Sequence, residues 1–451
     1  MPPVGWDAIR QPKPGVDCLK ARDGGGLGGP DRPRASLTPQ FRAWRCRMVC
    51  GMSQSDYVRR LAELAVSLGA NLQPGQIVAV GSEPGKEQLA RAIAEAAYRR
   101  GAKFVDLSVF DLHFKRARVR HAPPDTLAYV PPWIGERVLA LGEHRAARIV
   151  LTGPVAPRLM DGLDPALVGK DMLPSVKESS AVVNARTTNW TVVPCPTPGW
   201  AGLVHPGLDP EQALDRLWRG IAHVCRLDQP DPIATWVSRL DRLTEIAATL
   251  DAHGLDALRL KGPGTDLTVG LLPSVRWLAA RFSTTDGIVH VPNIPTEEVF
   301  TSPDPERVDG VVRATKPLFT AGALITGLQA RFERGRAVDI DADQGAGTLR
   351  SLTQRDAGAA RLGEVALVDR ESRIGALDTV FFETLLDENA ASHLALGHAF
   401  EFAVETEQDR DRLNQSEIHI DFMVGSNDVA VTGLTREGSE VPILRDGVWQ
   451  I

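Results

Sequence analysis

The sequence predicts an α/β protein of two domains, an N-terminal α/β domain with a parallel sheet and a C-terminal α+β domain. Its 451 residues exceed what one ordinary hydrophobic core supports. Residues 77–107 show a strand–helix–strand pattern whose spacing predicts a βαβ unit, and hence a parallel sheet. After Gly254 the pattern changes from helical periods to strand-sized apolar segments. We therefore predict domains at 52–255 and 256–451.

Helical and strand patterns alternate through the first domain. Ser53 or Ser55 can cap a helix that runs to about Leu68 with its apolar residues on one stripe. Further helices are predicted at 86–100, 123–141, 164–184 with a break at Leu173 and Pro174, 211–224 and 232–253. Strands are predicted at 77–80, 103–107, 147–152 and 190–193. The segment PCPTPGWAG is interpreted as a turn-rich loop.

The second domain contains short apolar segments that predict strands. They lie at 257–260, 266–271, 289–292, 314–318, 322–329 and 336–342, with further strand-like runs in LGEVALV and IHIDFMV.

Residues 1–51 are rich in Gly, Pro and Arg and show no sustained period. They contain no apolar core of a secretory signal, and their aspartates argue against an Arg-rich transit peptide. We predict a disordered tail, consistent with an early start codon, because Met52 opens the first patterned segment.

Composition argues against several classes of function. The formal net charge of −6 gives no electrostatic support for nucleic-acid binding. No run of 18 apolar residues predicts a transmembrane helix. GSEPGKE is not a phosphate loop, because three residues rather than four separate its glycines and Glu87 stands where Ser or Thr is needed. Five scattered cysteines without a CxxC pair predict a reducing cytoplasm. They are Cys18, Cys46, Cys50, Cys195 and Cys225.

Residue types that bind transition metals concentrate in the second domain. His419 and Asp421 are two apart in IHIDFMV, and on a strand residues i and i+2 share a face. Carboxylates and imidazoles are common ligands of zinc, cobalt and manganese. The other candidates are Glu298 in NIPTEEVFT, Glu364 in LGEVALV, and Glu388 and His393 in LLDENAASHLALG.

Taken in order, these four blocks resemble the motifs of the thermophilic-type metallo-aminopeptidases, the family of the aminopeptidase T and aminopeptidase S proteins, over residues 55–451. The resemblance implies a hydrolase that removes N-terminal residues from short peptides with water activated by two metal ions. It also implies a metal-binding C-terminal domain, two divalent ions (Zn, Co or Mn) and a cytoplasmic homodimer whose packing admits only small peptides.

Six residues match the metal-binding positions of the family. Those that resemble ligands of one metal are Glu298, Glu364 and His393. Those that resemble residues holding or surrounding the second metal are Glu388, His419 and Asp421. One carboxylate is expected to bridge the ions, because cations about 3.5–4 Å apart need anionic oxygens to offset their repulsion. A carboxylate that does not bridge could carry the proton to the leaving amine, and Glu364 and Glu388 are the catalytic candidates.

The sequence departs from the family pattern at one position. The family has a tyrosine seven residues after the first histidine, in a GxAY context, whereas GHAF places Phe400 there. The resemblance implies that the tyrosine hydroxyl assists catalysis, and loss of an oxyanion donor can lower a rate by about 10²–10³. The segment is interpreted as helical, so His398 would face away from Phe400 and could not substitute.

Other polar and aromatic candidates are interpreted as structural. They are Trp190, Trp200, Trp277, His205 and His290. Glu297 is interpreted as solvated or as supporting its neighbour Glu298.

Two alternatives to the aminopeptidase remain. Ring-cleaving dioxygenases of related fold use one iron held by two histidines and a carboxylate, but the surplus of matched carboxylates favours two metals. The second alternative is a metal-binding or peptide-binding protein whose turnover is weak or lost through Phe400.

Overall fold

One parallel sheet and two larger antiparallel sheets form the framework of the protein. The computed structural model describes residues 52–171, 173–174, 177–320 and 323–451. The predicted disordered tail, residues 1–51, lies outside the described residues, and so do Cys18, Cys46 and Cys50. No helix in the described ranges is long and apolar enough to cross a membrane.

The parallel sheet has four strands in the order β2-β1-β3-β4, with all three neighbouring pairs parallel. This confirms the sheet type that the βαβ pattern predicts. The strands are β1 (Ile77–Ser82), β2 (Phe104–Val109), β3 (Ala147–Thr152) and β4 (Trp190–Pro194). Lys86, from the rejected phosphate-loop segment, is buried and donates hydrogen bonds to Glu83 and to the Leu151 carbonyl. It is therefore a structural lysine in this fold.

Helices surround the parallel sheet and connect it to the rest of the chain. They are α1 (Gln54–Leu64), α2 (Glu87–Arg99), α3 (Leu112–His121), α4 (Pro132–Glu143), α5 (Pro165–Lys170), α6 (Lys177–Asn184), α7 (Pro198–Val204), α8 (Pro210–Val224) and α9 (Pro232–Ala252). Ser53 caps α1 in a capping box with Asp56. The chain continues from α1 as a π-helix, Ala65–Gly69.

The helix assignment needs correction at three places. The proposed loop PCPTPGWAG contains α7, because the Thr197 side chain caps it and Pro198 occupies its first turn. The helix predicted at 123–141 is a 3₁₀ turn, Pro124–Thr126, followed by α4, because the Pro131-Pro132 pair interrupts helical hydrogen bonding. Helix α3 was not predicted, because its apolar residues do not form a clear stripe.

The second half of the chain carries the antiparallel sheets, which confirms the mixed fold class. A five-stranded sheet has the order β18-β17-β16-β10-β7. Its strands are β7 (Leu278–Ala279), β10 (Glu298–Thr301), β16 (Leu362–Val368), β17 (His393–Gly397) and β18 (His419–Met423). The segment after His393 was predicted to be helical, and this is wrong: it is strand β17 followed by irregular chain at His398.

An eight-stranded sheet has the order β15-β14-β11-β6-β5-β19-β20-β21. Its strands are β5 (Leu255–Gly262), β6 (Thr265–Leu271), β11 (Pro303–Arg313), β14 (Gln329–Glu333), β15 (Arg336–Asp341), β19 (Ala430–Thr435), β20 (Glu440–Arg445) and β21 (Val448–Trp449). Strand β11 was not predicted, because prolines and charged residues hide its alternation. The predicted strand at 314–318 lies later, at Leu318–Thr320.

Short elements complete the described chain. The remaining strands are β8 (Phe282–Ser283), β9 (Val289–His290), β12 (Leu318–Thr320) and β13 (Ala323–Ile325). The remaining helices are α10 (Ala346–Leu352), α11 (Arg373–Ala376), α12 (Thr384–Asp387) and α13 (Glu407–Arg410), with 3₁₀ turns at Glu388–Ala390 and Glu401–Ala403.

Two large apolar clusters hold these layers together. One joins the parallel sheet and its helices and includes Trp200 and Trp236. The other fills the space around the antiparallel sheets and includes Trp277. Each cluster contains residues from both sides of position 255. The division into domains at that point stays a prediction.

Candidate metal centre

The register of the five-stranded sheet places the candidate ligands on one face. Paired residues of neighbouring strands share a face, and so do residues two apart along a strand. Glu364 pairs with Ala395, and Ala395 pairs with Asp421. His393 and His419 lie two residues from Ala395 and Asp421 respectively. Glu298 also lies on this face, because it pairs with Val368, four residues from Glu364.

The five side chains come close enough for their donor atoms to interact. His393 Nε2 lies 3.3 Å from Glu298 Oε2 and 3.9 Å from Glu364 Oε1. His419 Nε2 lies 3.1 Å from Glu364 Oε2 and 3.3 Å from Asp421 Oδ1. Glu364 therefore stands in the middle, with one oxygen toward each histidine.

Both histidines are held so that the same nitrogen points into the cluster. His393 Nδ1 lies 3.2 Å from the Ala391 carbonyl, and His419 Nδ1 lies 2.8 Å from the His398 carbonyl. Since a carbonyl accepts, each Nδ1 carries the hydrogen and leaves the Nε2 lone pair free in the neutral ring. This is the arrangement by which proteins orient a metal-binding histidine.

A glycine makes the second of these contacts possible. Gly397 ends β17 with φ +106°, a conformation that favours glycine, and a Cβ there would collide with the Ile418 carbonyl. The close approach lets the following His398 carbonyl reach His419, which pairs with Gly397 across the sheet. The sequence LGHAF thus fixes the imidazole of His419.

The donor atoms form two groups that share one residue. One group is Glu298, Glu364 and His393, and the other is Glu364, His419 and Asp421. Within each group the atoms lie within 4.8 Å of one another. Glu298 Oε2 is buried and accepts no hydrogen bond from the described residues. Buried carboxylates without hydrogen bonds are costly, so this donor set fits divalent cations.

The pKa values of the clustered side chains reflect the crowding of negative charge. Burial, together with the charges of Glu364 and Asp421, raises the pKa of Glu298 to about 7. Burial would lower the pKa of His419, but the charge and hydrogen bonds of Asp421 and Glu364 raise it well above its usual value. A cation bound here would relieve the repulsion between the carboxylates and favour their ionised forms.

Glu388 lines the same cavity but belongs to neither donor group. Burial and the nearby charges of Asp421 and Glu298 raise its pKa well above the usual value. The buried Asn389 amide donates to Glu388 Oε1 at 3.3 Å and accepts from the Glu297 backbone N–H at 2.7 Å. Asn389 thereby ties the Glu388 segment to the Glu298 segment. Sequence reasoning missed it, although the EN pair was visible within the motif.

Phe400 lies beside the second donor group. Its ring centroid is 5.2 Å from that of His419, 5.5 Å from that of Phe300 and 5.3 Å from that of Phe402. The cavity that these side chains line has a volume of about 590 Å³, within the range of small-ligand sites. His398 also lines the cavity, so the expectation that it faces elsewhere is wrong. The expectation failed because this segment is not helical.

Glu297 is fully buried, so its interpretation as a solvated residue is wrong. Its two carboxylate oxygens each accept a hydrogen bond of 2.7 Å, one from Arg226 and one from Arg239. Arg239 also bonds Asp369, where β16 ends. These ion pairs fix the start of β10 against helix α9 and so position Glu298.

The other candidates were interpreted as structural, and their burial varies. Trp200 and Trp277 are buried, and His205 is half-buried. His290 is buried, and burial lowers its pKa to about 4. Trp190 lines the cavity, which gives it contact with any ligand there.

Four neighbouring strands thus bring carboxylates and imidazoles together in a candidate metal site of the kind that metal-dependent hydrolases use. Comparison with known proteins agrees. The family described as thermophilic metalloprotease (M29) matches residues 54–449. The chain belongs to this family and is a metallopeptidase, which confirms the resemblance noted in the sequence.

Individual relatives are similar along almost their full lengths. Aminopeptidase T of Thermus thermophilus is 42% identical over 402 residues, which cover 87% of this chain and 98% of that protein. Aminopeptidase 2 of Geobacillus stearothermophilus is 38% identical over 400 residues, with coverages of 86% and 97%. The solved structure of wild-type AmpT from Thermus thermophilus superposes with a TM-score of 0.83 at 40% identity, covering 88% of this chain and 100% of that chain.

Proposed function

We propose that this metallopeptidase is an aminopeptidase that removes N-terminal residues from short peptides with two divalent metal ions, zinc, cobalt or manganese. The observation that carries the proposal is the position of Glu364 in both donor groups, as expected of a bridging carboxylate. The residues proposed to hold the ions are Glu298, Glu364, Glu388, His393, His419 and Asp421. The names of the relatives, which are aminopeptidases, support the substrate class.

Two such ions, when bound, would polarise the scissile carbonyl and lower the pKa of water. The residues of the chain have distinct roles around them. Glu364 positions the two halves of the cluster relative to each other. Glu388, held by Asn389, lines the cavity outside both donor groups and is the candidate to move a proton to the leaving amine.

The cellular setting is part of the proposal. Cys195 and Cys225 are buried free thiols, which is compatible with a reducing cytoplasm. The homodimer rests on the family resemblance alone. Light scattering coupled to size-exclusion chromatography tests it directly, and a monomer at micromolar concentration would contradict it.

The single-iron alternative is not favoured. A site of two histidines and one carboxylate leaves the remaining buried carboxylates without a counter-charge. The other alternative, a binding protein with weak or lost turnover, rests on Phe400 alone, which lacks the expected hydroxyl, and membership of the metalloprotease family argues against it.

The deciding experiment uses chelated protein reconstituted with zinc, cobalt or manganese. Bound metal is counted by elemental analysis, and hydrolysis of leucyl-p-nitroanilide is measured on the same samples. We expect two ions per chain and metal-dependent release of leucine. Glu364→Gln should lose most of the metal, whereas the exposed control Glu371→Gln should not. One ion per chain would refute the bridging role of Glu364, and two ions without hydrolysis would support the binding protein.

A further inference from the structure

The cavity has a second wall whose chemistry differs from that of the metal centre. Along β3, alternate residues point in opposite directions, and Ile149 is buried in the core. Arg148 and Val150 therefore face the cavity, which both line. Arg148 pairs with Trp190 on β4, and Trp190 lines the cavity too. One wall thus carries the carboxylates and imidazoles, and the other carries an arginine.

The guanidinium of Arg148 has no ion pair or hydrogen bond with the side chains or carbonyls of the described residues, although the residue is half-buried. Its pKa is lowered by burial alone, with no nearby carboxylate to raise it. Among the described residues that line this cavity, Arg148 is the only lysine or arginine. A partly buried cation without a counter-ion is unfavourable unless a ligand supplies the anion.

Structural arginines elsewhere in the protein look different. Arg226 and Arg239 are buried and both bond Glu297 at 2.7 Å. Arg118 bonds the buried Asp171 and several backbone carbonyls. A guanidinium that serves only the fold is paired in this way, because its five donors need acceptors. The exposed donors of Arg148 are therefore available to a ligand in the cavity.

We propose that Arg148 binds the C-terminal carboxylate of the peptide substrate, so that this enzyme selects short peptides with a free C-terminus. The inference rests on the proposed aminopeptidase function. A short peptide carries a carboxylate at its C-terminus, which complements the positive charge of Arg148. The planar guanidinium binds a carboxylate through two parallel hydrogen bonds. A cavity of about 590 Å³ has room for a short peptide of a few residues.

Part of the cavity wall is apolar. Trp190, Phe282 and Phe402 line it, together with Val192. This surface accepts side chains and peptide atoms without adding a competing charge. The carboxylate of the peptide therefore sets the direction in which it lies, with its C-terminus at Arg148 and its N-terminus at the metal centre.

The test compares three substrates with reconstituted enzyme: Leu-Gly-Gly, its C-terminal amide, and leucyl-p-nitroanilide, which has no carboxylate. Each is measured with the wild type, Arg148→Gln, Arg148→Lys and a surface control, Arg219→Gln. Arg219 is 57% exposed and pairs with Asp215 one helical turn away.

We expect the wild type to prefer the free acid over the amide by about 10- to 100-fold in kcat/KM, mainly through KM, as suits one charge-assisted bidentate contact. Arg148→Gln should abolish this preference, lowering kcat/KM for Leu-Gly-Gly to about the value for its amide. Arg148→Lys should retain part of the preference, and Arg219→Gln all of it. A preference that survives in Arg148→Gln, or no preference in the wild type, overturns the proposal.

A binding measurement separates this inference from the proposed function. Calorimetric titration of metal-stripped protein with Leu-Gly-Gly and with its amide requires no turnover. Tighter binding of the acid, lost in Arg148→Gln, supports the carboxylate site even if no substrate is hydrolysed, in which case only the aminopeptidase function fails. Equal affinities for the two peptides refute the carboxylate site whether or not the enzyme is active.

Discussion

Replacing Phe400 with tyrosine tests whether a missing hydroxyl limits this enzyme. The ring of Phe400 is half-buried, lines the cavity and lies with its centroid 5.2 Å from that of His419. A hydroxyl there projects beside the second donor group, where charge develops only in the transition state. Removal of one oxyanion donor costs about 10²–10³ in kcat, so its addition on an unoptimised background should raise kcat by about 10-fold or more.

The assay is steady-state hydrolysis of leucyl-p-nitroanilide at saturating cobalt or zinc, with kcat and KM determined separately. Phe402→Tyr is the matched control, because Phe402 stacks on Phe400 and lines the same cavity. A hydroxyl without a partner costs about 1–3 kcal/mol when buried, so thermal stability is measured for both variants. If kcat of Phe400→Tyr stays at or below the wild-type value with full metal occupancy, the absence of the tyrosine does not limit the reaction.

Three further predictions concern stability. The pKa of His290 falls to about 4 in the folded state from about 6.5 in the unfolded state, so the free energy of unfolding should drop as pH falls, by about 2 kcal/mol at pH 5 relative to pH 8. Urea unfolding at several pH values should show this drop in the wild type and in the exposed control His144→Gln, and not in His290→Phe. The same pH dependence in His290→Phe and His144→Gln would argue against the prediction. Glu297→Gln should cost about 3–5 kcal/mol, because it removes the carboxylate charge that Arg226 and Arg239 share and leaves the buried Arg226 without an ion pair. Glu371 is 80% exposed near the same Arg239, so Glu371→Gln should cost little, and equal unfolding midpoints for the two variants would contradict this. Deletion of residues 1–51 should leave the melting temperature and metal content unchanged, and a large fall would show that the segment contributes to the fold.

Local patterns in the sequence predicted the parallel sheet because each of its elements carries its own signal. The strand at 147–152 has the bounds of β3, and the helix predicted at 232–253 ends one residue beyond α9. The secondary-structure prediction was wrong where a helix cap or a proline mattered more than apolar periodicity, as at α7. The prediction missed strand β11, because this strand is recognisable mainly through its pairing with β6 and β14.

The candidate ligands could be named from motifs, but their arrangement could not. Local sequence does not give the strand register in which Glu364 and Asp421 both pair with Ala395, from opposite sides of β17. Arg148 and Asn389 carried no motif signal, because their interest comes from what faces them across the cavity or between segments. The burial of Glu297 could not be predicted, because its arginine partners are distant in sequence: Arg239 lies on α9 and Arg226 in the turn after α8.

The spread of the candidate ligands along the chain bears on biosynthesis. Glu298 and Asp421 lie 123 positions apart in sequence, and Asp421 sits on the edge strand β18. Contacts of such long range form late, after the closing of large loops has been offset by other contacts. A nascent or truncated chain that lacks β18 therefore presents only half a cluster to cellular metal. Metal uptake at the proposed site would therefore require that synthesis has passed residue 421 and that the sheet has closed in its correct register.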